Sequence, residues 1–312
     1  MRIEKKGLKP GMKLDSLITK ASQNSRKTIA VAAAEDSEVL EAVAQAARIN
    51  LADFLLFGNE EEIKQMISSE HPELQGHTGI KIISAPNNNS AAEMAVKAVK
   101  ANEANVLMKG NLPTASILKA VLNKEYGLRT GAVLSHVAVF EIPGYDRFTI
   151  VTDAAMNIAP DLDQKAQIVK NAVQIAHAIG IKMPKVAPLA AVEVVNPAMQ
   201  ATLDAAALTV MNNRGQISGC KIDGPLALDN AVSQLAAEHK GIQSEVAGKA
   251  DILLVPAIEV GNVLYKSLIY FANAKVGAII AGAKAPIVLT SRADTAESKL
   301  FSLALALCSA AK

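Results

Sequence analysis

The chain has no tryptophan, and only 3% of its 312 residues are aromatic. A core without large rings must be filled by Ala, Val, Leu and Ile, and 50% of the residues are hydrophobic. That is the composition of a parallel sheet covered by helices. Cysteine is almost as scarce. Cys220 and Cys308 lie far apart in apolar contexts, with no Cys-x-x-Cys spacing, and the histidines at 71, 77, 136, 177 and 239 are scattered. These absences exclude a disulfide framework and a zinc-type site, so no metal is expected. Excess charge is missing too: 32 Lys and Arg against 30 Asp and Glu leave a net charge of +2. Such balance excludes a broad basic face for nucleic acid, so an anionic ligand must be held by a local cluster. No uncharged run reaches the roughly 18 residues that span a membrane. The basic start, MRIEKKGLKPGMKLDSLITK, has no apolar signal core behind it. A cytoplasmic protein is the expectation.

What is present is an alternation of short β-branched runs with longer helical ones. Lys27 to Ala34 reads as a buried strand, and SEVLEAVAQAARI puts Val39, Leu40, Val43 and Ala47 on one helical face. DFLLFG, IKIISA and NVLMKG repeat the strand pattern, with a charged helix around Glu61 to Ile67 and another opened by Ser90 as the first residue of a capping box. Repeated βα units predict an α/β fold with mostly parallel, doubly wound sheets. Between Ala132 and Thr152 two strands joined by a Pro-Gly turn break the rhythm with an antiparallel pair. Afterwards the alternation resumes, with strands expected at VAPLAAVEVV, ISGCKIDG, ADILLVP and VGAIIAGA and helices from Asp163, from Pro197, near Asn230 and through Tyr265. The chain has room for two domains. The expected division is 1–140 plus 285–312 against 141–284, with a cleft lined from both sides.

Several strands deliver polar groups at their carboxyl ends, where open α/β sheets bind ligands. In VLMKGNLPTAS, Lys109, Gly110 and Asn111 follow a strand, Pro113 suits a first helical turn, and Thr114 and Ser116 add hydroxyls. Lysine, free backbone N–H groups and a helix dipole make an anion-binding arrangement; an ordinary capped loop is the alternative. Arg129, flanked by glycines in YGLRTGAVLSH, is a ligand candidate, whereas His136 inside an apolar strand reads as a hydrogen-bonded core histidine. Asp229 reads as a helix cap. In ILLVPAIEVGNVLYKSL, Gly261 and Asn262 permit close approach of a ligand, with Tyr265 and Lys266 following along one wall. The last strand ends in Thr290-Ser291-Arg292-Ala293-Asp294 just before a helix. Ser291 and Arg292 are there either as ligand groups or as part of a capped surface turn. No Gly-x-Ser-x-Gly elbow and no Walker spacing is present.

Six segments in order, VLMKGNLPTASILKAVLN, GLRTGAVLSHVAVF, VTDAAMNIAP, CKIDGPLALDNAVSQ, ADILLVPAIEVGNVLYKSLIYF and GAKAPIVLTSRADTAESKL, resemble the phosphate acetyltransferase/phosphate butyryltransferase family from about residue 12 onward. The resemblance implies a two-domain fold like that of the isocitrate and isopropylmalate dehydrogenases, with the site between the domains, and a homodimer. It also implies reversible transfer of an acyl group between coenzyme A and inorganic phosphate, butyryl-CoA plus phosphate giving butyryl phosphate and CoA, with no cofactor beyond these substrates. Ser291 and Arg292 match the family's Ser-Arg pair. Lys109, Gly110, Asn111 and Thr114, with Arg129, fall to the phosphate side, and Asn262, Tyr265 and Lys266 to the CoA side. The chain departs from the pattern at Ser298, where phosphate acetyltransferases carry an aspartate. A carboxylate for the CoA thiol must then come from Asp294, Glu297 or elsewhere, and Asp294 is preferred. The rival readings are a phosphate acetyltransferase, a metal-dependent hydroxyacid dehydrogenase on the same fold, and an acyl-CoA or acyl-phosphate sensor without turnover.

Overall fold

The computed structural model describes residues 12–289 and 295–311. In chain order, α1 (Asp15–Gln23) leads into β1 (Thr28–Ala32), α2 (Ser37–Arg48), β2 (Asp53–Gly58), α3 (Glu60–Glu70), β3 (Ile80–Ser84), α4 (Asn88–Lys100), β4 (Val106–Lys109) and α5 (Thr114–Val121). Then come β5 (Ser135–Glu141), β6 (Thr149–Thr152), α6 (Leu162–Ala178), β7 (Lys185–Pro188), α7 (Gln200–Asn213), β8 (Lys221–Ile222), α8 (Leu228–Val232) and α9 (Gln234–His239). The chain closes with β9 (Ile252–Leu254), α10 (Ile258–Tyr270), β10 (Lys275–Ala281), β11 (Ile287–Val288) and α11 (Ala296–Ser309).

Two units pack internally. Of the described residues, one holds 17–134, 277–289 and 295–311, the other 12–16 and 135–276. The expected boundaries, after residues 140 and 284, fall inside β5 and just short of β11. In the first unit the strand order is β3-β2-β1-β4-β11-β10. All neighbours are parallel except β10, which runs antiparallel to β11. β1 is central because its apolar run is buried on both faces. Strand order reverses around it, with β2 on one side and β4 on the other, so the loops after β1 and β4 diverge and leave a crevice at their carboxyl ends. In the second unit the order is β5-β6-β9-β7-β8, with β5 antiparallel to β6 and the rest parallel. The Pro-Gly turn thus makes the antiparallel pair that its sequence predicts. Phe54, Phe140, Phe148 and Phe301 are the few fully buried rings, and aliphatic side chains fill the remaining core.

Local signals moved some boundaries. α4 starts before Ser90, because Asn87 is its cap: the Asn87 side chain accepts the Ser90 N–H at 2.9 Å. Thr295 caps α11 by accepting the Ser298 N–H at 3.1 Å. The expected strand VAPLAAVEVV stops at Pro188, after which only a single bridge, Leu189 to Leu226, continues the pairing. ISGCKIDG keeps only Lys221 and Ile222 as strand, paired with Lys185 and Val186 of β7.

Candidate active site

At the carboxyl edge of the first unit, Lys109 ends β4 opposite Ala32 of β1. Its Nζ donates to the carbonyls of Gly110 at 3.0 Å and Leu112 at 3.1 Å, bending the chain around the ammonium. Gly110 is required by close approach: a Cβ there would lie 1.9 Å from the Ala33 carbonyl oxygen. Asn111 stitches the same two loops together. Its N–H donates to Ala33 O at 2.7 Å and its Nδ2 to Glu35 O at 3.2 Å. Thr114 opens α5 after Pro113, with no side chain capping the helix, so the first N–H groups keep their positive pole toward this edge. Lys109, Gly110, Asn111 and Thr114 therefore share one polar, electropositive edge. β11 runs parallel to β4, Val288 beside Met108, so Leu289 leaves the sheet at that same edge. Ser291, Arg292 and Asp294, next along the chain, lie outside the described residues.

Arg129 is not brought to that edge. Leu128 accepts the Lys284 N–H at 2.8 Å and Thr130 Oγ1 donates to Gly282 O at 2.6 Å. Gly282 follows the end of β10, where Ile280 faces Ile287 at the start of β11. This is the amino edge of the parallel strands, the end opposite Lys109. The glycine-flanked loop that suggested a ligand arginine serves to pin the chain beneath the sheet, and the guanidinium is exposed.

In the second unit, Gly261 lets α10 touch the turn after β6, for a Cβ there would sit 2.7 Å from Asp153 O. Asn262 and Lys266, four apart on α10, are exposed on a common face. Tyr265 instead packs its ring edgewise on Phe140 at 5.3 Å and on His136 at 5.8 Å. Asp153 is the polar residue the sequence reading passed over. It is 2% exposed, and its carboxylate gathers the N–H groups of Ala155 and Met156 at 2.9 Å and the Asn157 side chain at 2.6 Å. The segment VTDAAMNIAP carried it without assigning it a role. His136 sits opposite Asp153 where β5 meets β6. Burial pushes its pKa down and the Asp153 charge partly restores it. Contrary to expectation its Nδ1 is buried without a hydrogen-bond partner. Asp229 is not a cap either: Ala227 precedes the first residue of α8, and the Asp229 carboxylate accepts the Asn230 N–H at 2.9 Å.

Among the described residues no three His, Cys, Asp or Glu are placed to hold a metal ion, and no helix is long and apolar enough to cross a membrane. Burial raises the Cys220 thiol to about 11, which keeps it protonated and unreactive at neutral pH.

Comparison with known proteins gives a consistent picture. The model of the family described as phosphate acetyl/butaryl transferase matches residues 13–93 and 68–307. A probable phosphate butyryltransferase of Bacillus subtilis is 60% identical over 297 residues, covering 95% of this chain and 98% of that protein. A phosphate butyryltransferase of Clostridium acetobutylicum is 51% identical over 292 residues, covering 94% and 96%. Among solved structures, a branched-chain phosphotransacylase from Enterococcus faecalis superposes with a TM-score of 0.80 at 37% identity, covering 91% of this chain and 98% of that one.

Proposed function

The chain belongs to the phosphate acetyl/butaryl transferase family, and from that premise we propose that it is a phosphate butyryltransferase. It transfers a butyryl or branched short-chain acyl group reversibly between coenzyme A and inorganic phosphate. The observation that carries this reading is the 60% identity to a probable phosphate butyryltransferase along almost the whole chain. The electropositive edge at Lys109, Gly110, Asn111 and Thr114 supports it, since it suits a phosphate or acyl phosphate. Asn262 and Lys266, exposed on one face of α10, are assigned to the CoA side, with Tyr265, whose ring packs on Phe140 and His136, beside them. Arg129, whose loop is anchored at the other edge, drops out.

The chemistry asks for charge and positioning, because acyl transfer to phosphate needs no redox step. CoA and phosphate are the substrates, and no metal or nicotinamide is called for. Arg292 grips the phosphoryl oxygens with a planar, charge-assisted fork, each such bond worth roughly 1.5 to 3 kcal/mol. Ser291 donates to the oxyanion of the tetrahedral intermediate, a kind of contact worth on the order of 10²- to 10³-fold in rate. A carboxylate must take up the thiol proton, and Asp294 is the one the loop itself carries. We place the protein in the cytoplasm as a homodimer, built through the exposed apolar side of α10, where Val263 is 65% and Tyr270 70% exposed, next to Phe271 at 86%.

The test is phosphate-dependent release of free CoA from acetyl-, butyryl-, isobutyryl- and isovaleryl-CoA in metal-free buffer. Fast release with the four-carbon and branched substrates and little with acetyl-CoA is expected. Equal or greater release with acetyl-CoA would make it an acetyltransferase. CoA binding without any turnover would make it a sensor.

A further inference from the structure

In the second unit the loops that leave the carboxyl ends of the parallel strands hold apolar side chains out in solvent. Ile158 stands in the loop after β6, Val194 and Val195 in the loop after β7, and Leu228 opens α8 after β8; they are 70%, 64%, 54% and 43% exposed. Open α/β sheets bind ligands at this edge, and apolar surface exposed there favours a ligand with an apolar part.

Val194 and Val195 stand apart because the loop around them is fixed on both sides. Before them, the Ala190 N–H donates to Leu226 O at 2.9 Å. Glu193 Oε2 accepts from Asn230 Nδ2 at 3.2 Å and from Lys240 Nζ at 3.0 Å. After them, the Asn196 N–H donates to Thr202 Oγ1 at 2.9 Å, and the Asn196 side chain accepts the Ala198 N–H at 2.9 Å. Asn230 and Thr202, the two anchors, are fully buried. Two stiff β-branched side chains are thus held toward solvent and kept from collapsing onto the core. A contact surface whose conformation is already fixed loses little entropy on binding. With polar Glu193 and Asn196 on either side, the patch falls far below the roughly 800 Å² per partner of a stable protein interface, so a small apolar group is the occupant it fits.

We infer that Val194 and Val195 contact the acyl chain of the substrate beyond its carbonyl carbon and set its preferred length. The assignment rests on the phosphotransacylase reading. An acetyl group offers such a wall only a methyl, whereas butyryl and branched acyl groups offer further carbons whose removal from water favours binding. One methylene in an apolar site is worth roughly 10- to 200-fold in kcat/KM, and a wall formed by two side chains supplies part of that. Neither valine can give or take a proton, so both act on the choice of substrate and the chemical step stays with other groups.

The experiment compares kcat/KM for acetyl-, propionyl- and butyryl-CoA at saturating phosphate in wild type, the double variant Val194→Thr with Val195→Thr, and Val210→Thr. Threonine keeps the shape of valine and puts a hydroxyl in place of a methyl, and all three positions are exposed, so the fold is retained, as circular dichroism would verify. Val210, on α7 and away from the loop, is the control. The double variant should lower the butyryl-to-acetyl ratio by at least about fivefold, with propionyl in between, and Val210→Thr should keep that ratio within about twofold of wild type. An unchanged ratio in the double variant overturns the assignment, as does an equal loss with all three substrates, which a merely structural role would give. A shift toward monomer in light scattering with the ratio unchanged overturns it too, and puts these valines in a subunit contact. A wild type that releases CoA from none of the three refutes the phosphotransacylase reading itself, and the assignment with it, so the two failures are distinct.

Discussion

At the residue scale, the contacts proposed for phosphate can be weighed atom by atom. Lys109 is held by two carbonyls of its own loop, so it shapes the loop as well as charging it. In the proposed mechanism the direct grip falls to Arg292. Arg292→Ala should lower kcat/KM more than tenfold, with about 1 kcal/mol of it appearing as a weaker KM for phosphate in a full kinetic analysis. Unchanged kinetics would remove Arg292 from the mechanism. His136 gives a second prediction, on stability. Its folded pKa lies below the ordinary 6.5 because burial opposes the charged form. The unfolded chain therefore binds the proton more readily, and stability rises with pH over that range. The contribution is whole above about 6.5 and is lost as pH falls toward the folded value. His136→Gln should flatten the acid side of a plot of urea midpoint against pH, whereas an unaltered plot would show that other groups govern it.

Among the elements, α6 and α7 are joined by an ion pair of a costly kind. Lys165 and Asp204, both almost fully buried, meet at 2.5 Å, and Gln200 Nε2 donates to the other Asp204 oxygen at 2.8 Å. Removing one partner strands the other in a poorly polarisable interior. Lys165→Met should cost about 3–5 kcal/mol, and the double change Lys165→Met with Asp204→Leu should recover most of it. Denaturant midpoints of the two single variants and the double variant would settle the point. α10 shows how an element can satisfy its sequence pattern yet remain incomplete. It is rich in Ile, Val, Leu and Tyr, but Gly261 is its only buried residue. Its periodicity made the helix easy to place and gave no hint that its apolar side would stay exposed.

For the molecule as a whole, that exposed side is the surface through which the proposed dimer would form. Phe271→Glu should shift the protein toward monomer in light scattering at micromolar concentration, because a charge would have to be buried in a self-complementary contact. A dimer unaffected by the change would place the interface elsewhere.

The strand and helix alternation, the antiparallel pair around the Pro-Gly turn and the family itself were all legible in the sequence. Each is written in local periodicity, or in colinear segments that need no coordinates to compare. Helix starts were less legible where several capping residues compete, as in the run Asn87-Asn88-Asn89-Ser90, and strand lengths failed at β7 and β8, where pairing partners set the limit. The tertiary structure alone decided which polar groups share an edge. Arg129 and Lys109 look equally well placed along the chain, but parallel strands have two ends, and only the pairing of β4, β10 and β11 shows that these residues occupy opposite ones.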